Sequence, residues 1–109
     1  MGYEAPTQDI AFSLYAAAGL DRLEPLMDGL TRETVTAVLE GAGELASGVL
    51  APLNRTGDLQ GARLQNGRVV TPEGFAAAYR AFAEGGWNSL SADREFGGQG
   101  LPKALELAV

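Results

Sequence analysis

The sequence predicts an all-α fold, a small helical bundle that carries one short β-hairpin near residues 63–70. Three observations carry this. From Val35 to Leu50 apolar residues recur at steps of three and four, the spacing that puts them on one helical face. Phe75, Tyr79 and Phe82 repeat the pattern. Between these stretches, Asn66-Gly67 stands where two short apolar strands meet, and this pair favours a two-residue turn with positive φ at both centres.

Taken in order, residues 1–8 read as extended, since Pro6 disfavours a helical Ala5. Met1 to Pro6 lacks the basic start and apolar core of a signal peptide, and Pro6 stands where a myristoylated terminus prefers Ser or Thr. Asp9 is placed to cap a first helix anchored by Ile10, Phe12, Leu14 and Tyr15, with Gly19 as its stop. Asp21 to Asp28 reads as a short, irregular turn, because Pro25 sits inside it; Leu20, Leu23, Leu26 and Met27 form its apolar side.

Thr31 begins the long helix. Its apolar side is Val35, Val38, Leu39, Ala42, Leu45, Ala46, Val49 and Leu50, opposite Glu33, Glu40 and Glu44. Gly41, Gly43 and Gly48 each cost about 1 kcal/mol against Ala in a helix interior, a cost better tolerated where another helix packs closely. Pro52 and Asn54 are expected to end it, and Arg55 to Ala62 to form a loop. In the hairpin that follows, Leu64 faces Val69; two isolated strands are marginal, so the hairpin is expected to lie on the helices. Thr71-Pro72-Glu73 has the cap, proline and acid of a helix start. Gly85-Gly86 ends that helix, and Pro102 opens a last one, Lys103 to Val109. Its apolar end suggests a domain incomplete at the C-terminus, so residues 1–109 are expected to be a fragment of a helical domain or to pair with another chain.

With 46% apolar residues, the chain has enough to bury a modest core. A net charge of −6 argues against nucleic acid or anionic membrane as partner, because phosphates reward lysine and arginine. No apolar run approaches the ~20 residues that cross a bilayer. The sequence has no cysteine and no histidine. That removes thiolate and Ser-His chemistry and the usual zinc sites, and it fits a reducing, cytoplasmic setting.

No set of residues points to catalysis or metal binding. Asp9, Asp21, Asp28, Asp58 and Asp93 all fall at predicted caps or turns, where acids serve the backbone. Phe75, Tyr79, Phe82 and Trp87 read as core packing before an acyl or ring pocket, as do Phe12 and Tyr15. Residues 85–102 hold the only tryptophan and five of the fifteen glycines. The run Phe96-Gly97-Gly98-Gln99-Gly100 lacks the spacing and the lysine of a phosphate loop, so a tight turn with close backbone approach is the simpler reading.

Asp93 to Pro102 resembles the loop Pro-Glu-Glu-Tyr-Gly-Gly-x-Gly-Leu in the N-terminal helical domain of acyl-CoA dehydrogenases, and Gly85-Gly86-Trp87-Asn88-Ser89-Leu90 is similar to the segment that leads into it. Three further stretches resemble the 3-methylmercaptopropionyl-CoA dehydrogenase-like branch: Tyr3 to Leu14, Leu50 to Asp58, and Thr71 to Phe75. The resemblance implies a flavin-dependent enzyme that oxidises an acyl-CoA to a 2-enoyl-CoA and passes electrons to an acceptor. In that family FAD and the glutamate base belong to later domains. For this chain it therefore implies no catalytic, cofactor-binding or metal residue and no bound FAD. It implies instead a structural loop near the substrate pocket, formed by Gly97, Gly98, Gln99, Gly100, Leu101 and Pro102, and a homo-oligomeric whole enzyme. The isolated chain is expected to be inactive. The competing expectation is a stand-alone helical interaction or oligomerisation module, motivated by the glycine-notched helix and the apolar C-terminus.

Overall fold

The computed structural model describes residues 2–109; Met1 lies outside them. Five α-helices and one antiparallel hairpin make up the regular structure, with 3-10 turns between them. α1 spans Thr7–Phe12 and continues through a wider turn, Ser13–Ala17, to Gly19 in the left-handed conformation. The helix begins at Thr7, two residues before the expected cap. Pro6 enters it without needing a hydrogen bond, and its carbonyl accepts from the Ile10 amide. Asp9 lies in the first turn, where its charge suits the helix dipole. Leu20–Arg22 and Glu24–Leu26 form two 3-10 turns, as the internal proline predicts. Leu26 points to solvent, contrary to expectation, because a 3-10 turn does not keep a 3.6-residue face.

α2 is Arg32–Leu45, and the Thr31 hydroxyl accepts from the Thr34 amide at 3.1 Å. Its path continues through a wide turn at Ala46–Leu50 into α3, Leu53–Gln60. The loop expected at 55–62 is thus a helix up to Gln60. Pro52 does end the first helix, but its φ of −60° and missing N–H also suit it to start the next. Of the three glycines expected in the long helix, Gly41 meets the Trp87 ring and Gly43 meets Ala5 and Thr7 at the start of α1, while Gly48, in the wide turn, faces open space. Close packing therefore accounts for two of them.

β1 (Arg63–Gln65) pairs with β2 (Arg68–Val70), Leu64 opposite Val69, with Asn66 and Gly67 both at positive φ. The hairpin does not lie on the helices: every strand residue is exposed. α4 is Phe75–Glu84. It starts three residues after Pro72, because Gly74 at φ +87° breaks the path and the Glu73 amide donates to the Gln60 side chain instead. α5 is Lys103–Ala108.

One cluster forms the core: Leu14, Leu20, Leu30, Val35, Leu39, Leu90, Leu101 and Leu105, with Ile10, Tyr15, Trp87 and others packed against it. It joins α1, the 3-10 segment, the first half of α2, the segment after α4, and α5. α3, the hairpin and α4 stand outside it.

Candidate functional site

The glycine-rich loop is laced by its own backbone. Gly86 at φ +78° leads from α4 into a 3-10 turn at Trp87–Ser89. The Asp93 carboxylate accepts from the Glu95 amide and starts a second turn, Arg94–Phe96, which Gly97 ends at φ +87°. The chain then runs back along itself. Amides of Gly98, Gln99, Gly100 and Leu101 donate to the carbonyls of Asp93, Ser89, Ala92 and Leu90, at 2.9–3.1 Å. A Cβ on Gly98 would collide with the Ala92 carbonyl, so only glycine lets the strands approach this closely. The Gln99 side chain donates to the Gly86 carbonyl at 3.1 Å.

The six expected site residues divide by this geometry. Gly97 and Gln99 face solvent, Gly98 and Gly100 are half-buried, and Leu101 and Pro102 are buried and carry the chain into α5. Since the amides from Gly97 to Leu101 are all bonded to carbonyls, none is free to hold a phosphate. A shallow hollow of about 430 Å³ lies beside the loop, between Leu26, Met27 and Asp28 on one side and Ser91, Asp93, Arg94, Gly100 and Leu101 on the other.

A second concavity, about 500 Å³, lies between α3 and α4. Leu50, Leu53 and Gly57 form one wall, Phe75, Ala78, Tyr79 and Phe82 the other, with Asn54 and Asp58 also lining it. The Phe75 ring fills the space a side chain at Gly57 would need. The expectation that Phe75, Tyr79 and Phe82 belong to the core is therefore corrected: they line an open groove, and Tyr79 is 67% exposed. Only Trp87 of that set packs on the core. Phe12 is likewise exposed, while Tyr15 is held inward. Gly57 reads as a loop residue in the sequence, which hides the groove. Leu50, Leu53 and Gly57, at steps of three and four across Pro52, were the signal that helix resumes there.

The titratable groups are local in their roles. Burial, then the Glu24 carboxylate it bonds at 3.3 Å, pushes the Tyr15 phenol above its usual range. Arg32 stacks 3.9 Å from the centre of that ring. Hydrogen bonds from Lys103 and then Ser91 hold the Glu106 carboxyl below its usual range. Asp58 sits within α3, not in a turn. Among the described residues no group of three or more metal-ligating side chains gathers, and no helix is long and apolar enough to cross a membrane.

No family model matches the chain. A curated relative does: the 3-methylmercaptopropionyl-CoA dehydrogenase of Ruegeria pomeroyi is 42% identical over 111 aligned positions. The alignment takes in the whole of this chain, which spans 19% of the relative's length. The similarity thus includes the glycine loop, the hairpin and both helices of the groove together. Along its whole length the chain is thus similar to one part of an acyl-CoA dehydrogenase.

Proposed function

We propose that this chain is the N-terminal helical domain, in part, of a flavin-dependent dehydrogenase that oxidises an acyl-CoA to a 2-enoyl-CoA. The observation that carries the reading is the 42% identity along the entire chain to a named acyl-CoA dehydrogenase. In this reading residues 1–109 supply scaffold. Loop residues Gly97 to Pro102 wall part of the acyl pocket and aim α5. The loop's geometry supports that role, because its shape is set by its own backbone bonds and needs no ligand to hold it.

FAD would belong to the rest of the protein. The loop does not fit a flavin pyrophosphate, since its amides are already bonded. The same reading takes in an electron-transfer acceptor as partner, a homo-oligomeric enzyme in the cytoplasm, and no turnover by the 109 residues alone.

The test is to purify the full-length protein and offer it 3-methylmercaptopropionyl-CoA and straight-chain acyl-CoAs with an acceptor dye. The expected result is bound flavin, dye reduction and a product two hydrogens lighter by mass. A protein without flavin that leaves every acyl-CoA unchanged overturns the reading. Stoichiometric flavin on the purified 109-residue chain overturns its claim that the cofactor is held elsewhere.

A further inference from the structure

We infer that Arg94 is a positioning residue: its guanidinium clasps Asp28-Gly29 to Gln99-Gly100 and so sets the width of the hollow beside the glycine loop. The inference rests on the reading of that loop as a wall of the acyl pocket. Arg94 Nη2 donates to the Asp28 carbonyl at 3.0 Å, and Nε donates to the Gln99 carbonyl at 3.4 Å. Nη1 lies 3.6 Å from the Asp28 carboxylate. Two glycines make room for the side chain. A Cβ would stand 3.2 Å from Nε at Gly100 and 3.4 Å from Nη2 at Gly29, and both residues have positive φ.

The loop's backbone bonds tie 98–101 to 89–93 and none reaches the 3-10 segment, against which Leu90 and Leu101 pack in the core. Among the described residues, Arg94 makes the side-chain hydrogen bond that joins the two. The hollow's lining comes from these same two segments, with Arg94 across it. The exposed carboxylate of Asp28 adds little, because an ion pair in water is screened. The charge-assisted bonds to two carbonyls do the holding. They need a planar fork of donors, which arginine has and lysine lacks.

The experiment uses the full-length protein with Arg94→Gln and Arg94→Lys, read by amide exchange and by steady-state kinetics. In Arg94→Gln, peptides covering 26–29 and 97–102 should exchange about tenfold faster, the loss of one or two charge-assisted bonds, with other peptides unchanged. KM for the acyl-CoA should rise about tenfold while kcat stays within about twofold. Arg94→Lys should restore part of both. Unchanged exchange in Arg94→Gln overturns the clasp, and so does faster exchange throughout the chain. Faster local exchange with KM unchanged overturns its role at the pocket. If the wild-type enzyme turns over no acyl-CoA, local exchange still scores the clasp, and the failure then lies with the proposed function.

Discussion

The two ends of the long apolar face from Val35 to Leu50 share one periodicity and meet different fates. Val35 and Leu39 are fully buried, covered by α1, the 3-10 segment and α5. Leu50 is 43% exposed and borders the open groove. Spacing decides which side of a helix is apolar; whether anything covers that side depends on where the rest of the chain returns. Here it returns mainly to the first half, and Leu45, Ala46 and Val49 farther along are only half-buried. The second half leads into an arm of α3, hairpin and α4 whose buried residues are Pro72 and Ala78. The shape follows: the molecule measures 53 × 37 × 18 Å, with a radius of gyration of 16.6 Å against about 13 Å for a compact domain of this size.

The largest expected difference between core and arm is in truncation of a leucine. Leu105 is fully enclosed, so Leu105→Ala should cost about 2–5 kcal/mol in denaturant unfolding. Leu64, 75% exposed on the hairpin, should lose no more than about 0.5 kcal/mol as Leu64→Ala. Equal costs would mean that the arm is covered by something as firmly as the core is.

Glycines should separate the regions by sign. Gly98→Ala forces a methyl into the Ala92 backbone, which cannot rotate away, and should destabilise by about 1–3 kcal/mol. Gly48→Ala meets open space in a helical turn and should stabilise by about 0.5–1 kcal/mol. Thermal unfolding of the two variants reads both. A destabilised Gly48→Ala would show that a partner surface sits against that turn.

What was legible in the sequence follows the same division. The helix faces, the Asn66-Gly67 turn and the Leu64–Val69 pairing are local, and the structure has them all. The loop's close backbone approach was also readable, since Gly97-Gly98-Gln99-Gly100 has few other uses. The arm was misread wherever one residue had two uses. Pro52 both stops a helix and starts one. Gly57 looked like a loop signal and instead makes room for the Phe75 ring, eighteen positions later. Gly74 interrupts a strong start signal at Thr71-Pro72. The core role given to Phe75, Tyr79 and Phe82 failed for a larger reason. Periodicity marks an apolar face without saying how far it is covered, and here α3 and α4 cover each other only in part, leaving the groove open. The Arg94 clasp was not legible, because it joins residues sixty-six positions apart through main-chain carbonyls.

The smallest effect concerns charge, and it too falls on the core side. Both ion pairs among the described residues, Arg94–Asp28 and Lys103–Glu106, lie outside the arm. Glu106 pairs with Lys103 within α5 and accepts from Ser91, the bond that joins α5 to the glycine loop. Its carboxyl is held below the ordinary value of 4.5 in the folded chain. A carboxyl with a depressed folded pKa favours folding fully above its unfolded pKa, and that contribution fades as pH falls through the folded value. Glu106→Gln should therefore melt slightly lower than the parent around pH 7, and the two curves should converge once the pH drops well below 4.5. Fluorescence of Trp87, which packs against the core, follows the transition. The surface pair is screened, so 1 M salt should close most of the gap at neutral pH as well. A gap that persists in acid would assign the stabilisation to the Ser91 hydrogen bond alone, and would leave charge with no part in fastening α5 to the loop.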